Sequence, residues 1–261
     1  MRVLVTNDDG VDAPGLASLA RAVHAAGHET IVVAPLDERS GSSAAIGALG
    51  PGTRLRVSRP AIAGLEPDTG VEVYGLEGPP ALCVLAARLG AFGDQPDLVI
   101  SGINRGLNTG RAILHSGTIG AVLSAANQGL SGVAVSIAGS DPEHWDTAAY
   151  MAVEALDWVA AAPLRTAVNL NVPDAPLDRV RGVCWAEPAA MGEWHAVVVD
   201  AGPDVLELDL RRTEVELPPE SDTALVAAGY AAVTLLHGPR SAEWAPVADH
   251  IERRLLLQTG A

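Results

Sequence analysis

The feature that most restricts this chain's fold is an alternation. Short apolar runs rich in β-branched residues take turns with segments of helical periodicity over the first two thirds of its length. The run Arg2-Val3-Leu4-Val5-Thr6 reads as a strand buried on both faces. Residues 15–26 carry Leu16, Leu19, Ala20 and Val23 at helical spacing and stop at Gly27, and 30–34 is a second strand closed by Pro35. A strand–helix–strand unit of this kind is right-handed and parallel. After a polar, glycine-rich stretch at 40–52, the pattern predicts a helix at 79–89, a strand at 97–101 and a long loop. A helix at about 118–128, a strand at 133–137, a helix at 145–162 ended by Pro163 and a strand at 167–172 complete it. The fold class is therefore α/β, a doubly wound, mostly parallel sheet.

The pattern changes after Pro173. Residues 180–217 hold strand-like runs (196–200 and 205–210) between Gly-Pro turn signals, 229–236 reads as a last strand, and 244–258 as an amphipathic helix. We expect a catalytic domain over 1–175. Residues 176–261 form a smaller β-rich extension whose arm, last strand and terminal helix complete the fold and serve oligomer contacts.

Hydrophobic residues make up 48% of the 261, enough for one large core, but aromatics are only 3%, so that core is aliphatic. All 17 basic residues are arginine, which excludes a lysine Schiff base and a P-loop lysine. A net charge of −15 argues against a nucleic-acid polymer as partner, and leaves a small anion that a metal ion or helix N-termini would have to attract. The two cysteines, Cys83 and Cys184, are too few for a disulfide framework, and Cys83 reads as a small buried hydrophobe in an apolar helix. Without a signal-peptide core or an apolar stretch near ~20 residues, a cytoplasmic location with no membrane span is the expectation.

Ligand sites in open α/β sheets form beyond the carboxyl ends of the strands, and three polar clusters fall there. Asn7-Asp8-Asp9-Gly10 follows the first strand; adjacent carboxylates repel unless a positive charge joins them, and a hard divalent cation is the usual solution. The same four residues are also good turn sequence, so on this segment alone the readings balance. Asp37-Glu38-Arg39-Ser40-Gly41 follows the second strand and gains interest from lying beside the first cluster. The third cluster runs from Ser101-Gly102-Ile103-Asn104 through Asn108 to His115-Ser116-Gly117-Thr118 at a helix start. There, backbone N–H groups, two hydroxyls and the positive dipole end suit a phosphate. A plain Ser or Thr cap is the competing reading, but it leaves the glycine-rich loop before it unexplained. Gly-x-Gly-x-x-Gly after the first strand and a Gly-x-Ser-x-Gly elbow are both missing.

Taken together, Val3-Leu4-Val5-Thr6-Asn7-Asp8-Asp9-Gly10, Arg39-Ser40-Gly41, Pro96-Asp97-Leu98-Val99-Ile100-Ser101-Gly102-Ile103-Asn104, Ser116-Gly117-Thr118 and Asn169-Leu170-Asn171-Val172-Pro173 resemble the SurE family of nucleotidases, the stationary-phase survival proteins. The segments Ser221-Asp222-Thr223 and Gly229-Tyr230-Ala231-Ala232-Val233-Thr234 fit as well. The resemblance implies a Rossmann-like domain with a smaller C-terminal part that includes an oligomerisation hairpin. It also implies a divalent-metal phosphatase (Mg²⁺ or Mn²⁺) for nucleoside 5′- and 3′-monophosphates, assembled as a homodimer or homotetramer. By motif, Asp8, Asp9, Ser40 and Asn104 would hold the metal, and Asn108, Ser116, Gly117 and Thr118 the phosphate. The chain departs from the family pattern in several places. His115 stands where a tyrosine is common, and Arg111 and Ala112 where acids are usual. Gln128 lies where a glutamate commonly occurs, and Gly78-Pro79-Pro80-Ala81-Leu82 replaces Gly-Thr-Pro-Ala-Asp.

The expected chemistry is hydrolysis of a phosphate monoester by a metal-bound water, with Asp8 or Asp9 as the proton acceptor and His115 in a packing or stacking role. Two alternatives stay open: a phosphatase for another small phosphorylated metabolite, and a non-catalytic nucleotide-binding protein.

Overall fold

The computed structural model describes residues 1–65, 69–192, 194–212, 215–239, 247 and 251–252. The elements run β1 (Arg2–Thr6), α1 (Pro14–Ala25), β2 (Glu29–Pro35), β3 (Val57–Ser58), β4 (Glu72–Leu76), α2 (Pro80–Arg88) and β5 (Leu98–Arg105). A 3₁₀ turn (Gly110–His115) leads into α3 (Gly117–Asn127), β6 (Ser131–Ile137), α4 (Trp145–Ala161) and β7 (Ala167–Val172). The last part holds β8 (Val183–Trp185), β9 (Trp194–Ala201), β10 (Leu206–Arg212), α5 (Asp222–Ala227) and β11 (Ala231–Leu236). The helix expected at 244–258 lies outside the described residues, apart from 247, 251 and 252.

One nine-stranded sheet carries the fold, in the order β3-β4-β2-β1-β5-β6-β7-β11-β8. Its centre, from β4 to β7, is parallel; β11 runs antiparallel to β7, and β3 antiparallel to β4. Helices α1 and α4 cover one face and α2 and α3 the other. Branched aliphatics fill both interfaces: Val3, Val5, Leu16, Leu19, Ile100 and Leu156 on the first, Leu4, Ile31, Val99, Val84 and Cys83 on the second. Burial pushes the Cys83 thiol up to about 12, in keeping with a residue that packs rather than reacts. The fold is thus the doubly wound α/β sheet that the alternation predicts.

Three differences from the expected elements have local causes. The edge strand β3 is only two residues long, and its neighbour β4 (Glu-Val-Tyr-Gly-Leu) carries Gly75, where a Cβ would crowd a Leu36 methyl at 2.5 Å. Strand β5 does not stop at Ser101 but continues, after a register shift between Ser101 and Asn104, to Arg105. Gly102 makes the irregularity possible: its φ is +133°, and a Cβ would lie 2.3 Å from the Val135 carbonyl oxygen. Finally, β9 and β10 form a separate antiparallel hairpin, while β8 and β11 join the main sheet.

Candidate active site

Strands β1, β2, β5 and β6 end on one rim, and the polar clusters lie along it. After Thr6 the chain turns at once. Asn7, fully buried, donates its side-chain amide to the Gly10 carbonyl at 2.9 Å and fixes the turn that bears Asp8 and Asp9. The Asp8 side chain points inward, with only 3% of the residue exposed. The Thr118 hydroxyl donates to its Oδ1, and the Thr118 and Gly117 backbone N–H groups also serve it. Burial raises the Asp8 carboxyl above its ordinary value, and these donors pull it back down.

The start of α3 is therefore already engaged. Gly117 and Thr118 turn their N–H groups to Asp8, and the Ser116 hydroxyl caps the helix by accepting from Ile119 N–H at 3.2 Å. Because the Ser116 oxygen accepts, its own proton remains available to an incoming anion. Gly117 is the contact that allows this approach. A Cβ there would lie 2.6 Å from Ser42 Oγ and 2.7 Å from Asp8 Oδ2. One turn on, a Cβ on Gly120 would lie 2.0 Å from the Ser43 carbonyl oxygen, so the 40–44 loop packs directly on the helix.

Thr118 Oγ1 also lies 3.3 Å from Asn104 Oδ1, while Asn104 donates Nδ2 to the Gly106 carbonyl at 2.7 Å. That second bond sets the amide orientation, so the oxygen faces Thr118. Asp9 is half-buried. Its carboxyl is pushed up to about 6, first by burial and then by the neighbouring Asp8 charge, with Arg105 opposing both through its charge and its backbone N–H. The 36–43 loop is tied on by the Arg39 N–H, which donates to the Asp8 carbonyl at 2.7 Å. Ser40 is exposed on that loop, with its hydroxyl turned to Glu38 at 3.0 Å. His115 is also exposed, and its carbonyl accepts from Ser43 N–H at 3.1 Å.

Asn108 has a different setting. Its amide donates to Ser136 at 2.9 Å, and its backbone N–H bonds to Asn171 at 2.9 Å. Its carbonyl accepts from Asn169 at 2.9 Å and from Asn171 at 3.1 Å. One proton of the amide NH₂ is thus committed to the scaffold and one is left over. Asp8, Asn104, Gly117 and Thr118 come together in one cluster with Asp9 and Ser116 at its border; Ser40 and Asn108 flank it on opposite sides.

Several participants carried no assigned role in the sequence. Ser42 Oγ and Asn7 Oδ1 are buried without a hydrogen-bond partner, and Ser42 lies against Gly117 and Asp8. Asn169 and Asn171 occur at a spacing of two in an otherwise apolar strand, which puts both amides on one face; that spacing was the available signal. Asp222 is fully buried, and its carboxylate accepts from Gly110 N–H at 2.8 Å, Ala189 N–H at 2.9 Å and Thr223 N–H at 2.8 Å. It joins the 110–115 turn to the segment that leads into the hairpin. Its segment carries the family resemblance, but no local pattern announces this joining role, because Gly110 and Ala189 lie far away in sequence.

The donor set suits a hard cation. Among the described residues no group of three or more His, Cys, Asp or Glu side chains is placed for a metal. The cluster instead offers two carboxylates, an amide oxygen and unpartnered hydroxyl and amide oxygens, which match a small oxygen-seeking divalent ion.

The family described as Survival protein SurE matches residues 3–195. The chain belongs to the SurE family. It is 39% identical over 201 residues to the protein named 5′-nucleotidase SurE of Stenotrophomonas maltophilia strain K279a, covering 75% of this chain and 71% of that one. It is 34% identical over 249 residues to the protein of that name from Legionella pneumophila strain Lens, covering 91% of each. The crystal structure of the SurE protein from Aquifex aeolicus superposes with a TM-score of 0.72 at 26% identity, over 92% of this chain and 95% of that one. Among the described residues, no helix is long and apolar enough to cross a membrane.

Proposed function

We propose that this SurE chain is a divalent-metal-dependent phosphomonoesterase that hydrolyses nucleoside 5′- and 3′-monophosphates. One observation carries the reading. Two adjacent carboxylates converge at the strand ends, and the second is pushed up to about 6 by burial and by the first, so the site concentrates negative charge, which among the described residues Arg105 and the N–H groups at the start of α3 oppose. Such a cluster gains from a cation and has no evident structural purpose without one. The names of the relatives supply the substrate class.

Asp8, Asp9, Asn104 and Ser40 would hold Mg²⁺ or Mn²⁺, which when bound supplies a Lewis acid that polarises a phosphoryl oxygen and makes a water more acidic. The remaining work belongs to the chain. Thr118 orients Asp8 by donating to it. Ser116 uses the proton left free by its cap to bind a phosphoryl oxygen, and Asn108 presents its spare amide proton from a fixed backbone. Gly117 contributes by having no side chain. Asp8 or Asp9 would take the proton of the attacking water as the P–O bond to the leaving alcohol breaks, and the greater solvent access of Asp9 favours it. Release of phosphate from a nucleoside monophosphate panel with Mg²⁺ or Mn²⁺, abolished by EDTA, tests the reading. EDTA-resistant activity would refute its metal part, and no activity with any metal would refute the whole.

The β9–β10 hairpin supports assembly. Val198, Val199, Leu206, Leu208 and Leu210 are all exposed, a two-stranded ribbon is marginal by itself in water, and a second subunit would cover these side chains. Light scattering at micromolar concentration should give a dimer or larger; a clean monomer would refute it.

A further inference from the structure

Two serine hydroxyls of the loop after β2 could serve the carboxylate cluster, and they face different ways. Ser40 is exposed and spends its proton on Glu38 Oε1 at 3.0 Å. Ser42, two residues on, turns to Asp8. Its Oγ and Asp8 Oδ2 crowd the same face of Gly117, 2.6 and 2.7 Å from the point that a Cβ there would occupy. The Ser42 oxygen is shielded from solvent and has no hydrogen-bond partner among the described residues. Its placement is fixed from both sides. Ser42 N–H donates to the Arg39 carbonyl at 3.1 Å, its carbonyl accepts from Ala45 N–H at 3.1 Å, and Arg39 N–H donates to the Asp8 carbonyl at 2.7 Å. The next residue is pinned to the 110–115 turn: Ser43 donates its N–H to the His115 carbonyl at 3.1 Å and its hydroxyl to the Leu114 carbonyl at 2.8 Å. Ser43 also takes a φ of +51°, a left-handed conformation that residues with a side chain rarely adopt.

A hydroxyl withdrawn from water and left unpaired costs stability, so its presence calls for a reason. A bond to Asp8 is not that reason. The Asp8 carboxylate already has its donors in the Thr118 hydroxyl and the N–H groups of Gly117 and Thr118, and the Ser42 hydroxyl makes no bond to it. What a carboxylate oxygen and a neutral hydroxyl oxygen lack, side by side, is a positive charge. Mg²⁺ lies about 2.0–2.1 Å from its oxygen ligands, nearer than the about 2.8 Å of a water's hydrogen bond, so a small cation reaches an oxygen that water does not. Serine hydroxyls serve as ligands of this ion in other sites. We propose that Ser42 Oγ is a further ligand of the divalent cation, beside Asp8 Oδ2, and that the 40–44 loop is folded to deliver it. The proposal rests on the metal-dependent reading above and adds a residue to it. It also gives Gly117 a reason to lack a side chain, since a methyl group there would press on both oxygens.

The test titrates Mn²⁺ alone, and Cd²⁺ alone, into the metal-free full-length protein by calorimetry, for wild type, Ser42→Ala and Ser42→Cys, with thermal melts in EDTA. Ser42→Ala removes an oxygen that has no hydrogen-bond partner, so its Tm in EDTA should equal or exceed that of wild type. Its Mn²⁺ affinity should nevertheless drop at least about tenfold. Ser42→Cys puts a soft sulfur where a hard oxygen stood. Cd²⁺ should then gain on Mn²⁺ by at least about tenfold relative to wild type, whose Cys83 and Cys184 control for thiols elsewhere. A hydroxyl that only packs, or that only props Asp8, would not change which metal is preferred. Unchanged Mn²⁺ affinity in Ser42→Ala, a loss accompanied by a lower Tm in EDTA, or an unchanged Cd²⁺ to Mn²⁺ ratio in Ser42→Cys overturns the proposal and leaves the metal reading standing. A wild-type protein that binds no Mn²⁺ overturns both.

Discussion

Asp9→Asn should stabilise the metal-free protein while destroying its activity, and the size of the effect follows from the site. In the folded protein the Asp9 carboxyl is pushed from 3.8 to about 6 by burial and by Asp8. A carboxyl whose pKa is raised on folding binds its proton more tightly in the native state, so stability falls as pH rises through the window from 3.8 to about 6, and the full cost stands above it. That displacement corresponds to about 3 kcal/mol; solvent access to the half-buried group trims it to about 1–3 kcal/mol. Asparagine has the same shape, accepts the Arg105 N–H and carries no charge, so it removes the cost. For a chain of this size each kcal/mol moves Tm by about 2–4 °C.

Calorimetric melts of both proteins in EDTA should therefore show the mutant melting higher at pH 8, with the gap about 1 kcal/mol smaller at pH 5, where wild-type Asp9 is largely protonated. Adding Mg²⁺ should raise the wild-type Tm through binding to the native state alone and leave the mutant nearly unmoved. Phosphate release by the mutant should fall by about 10²-fold or more. A mutant less stable than wild type in EDTA at pH 8, or a gap constant between pH 5 and 8, would refute the claim that Asp9 is held at an electrostatic cost.

Three further outcomes are expected. Gly117→Ala improves helix propensity yet drives a methyl group to 2.7 Å from Asp8 Oδ2, so circular dichroism should remain native while kcat drops by about 10²-fold. Asp222→Ala strands the buried N–H groups of Gly110 and Ala189 and should lower stability by about 2–5 kcal/mol in denaturant titrations. Gly15→Ala would place a Cβ 2.2 Å from the Ile103 carbonyl oxygen, next to Asn104, and should lower metal affinity more than it lowers Tm; unchanged metal dependence of activity would count against that coupling.

The sheet was legible because its strands are nearly uniform apolar runs. Residues 2–6, 133–137 and 167–172 announce burial on both faces, and the spacing between them leaves room for a helix. The edge strand β3 and its neighbour β4 were not legible: two residues at Val57–Ser58, and a mixed Glu-Val-Tyr-Gly-Leu segment, pair with the sheet through neighbours that local sequence does not specify. The extension of β5 past Ser101 was hidden for a related reason, since Gly102 and Gly106 read as loop until the bulge against β6 is seen.

The site divides along the same line. Adjacent acids, a glycine-rich loop and a Ser-Gly-Thr helix start are short-range signals, and they picked out the rim. What local sequence could not supply is how the donors are shared. A helix start read in isolation offers three free N–H groups to a phosphate, but here the chain brings its own carboxylate to them. Asp8 takes two, Ser116 takes the third, and Thr118 spends its one hydroxyl proton on Asp8. On the proposed reading, the anion-binding task passes from the backbone of α3 to the Ser116 hydroxyl, the Asn108 amide and the cation that the carboxylates would hold. Two acids could then stand beside a phosphate because the positive end of α3 offsets one of them, and a metal would balance the other together with the substrate.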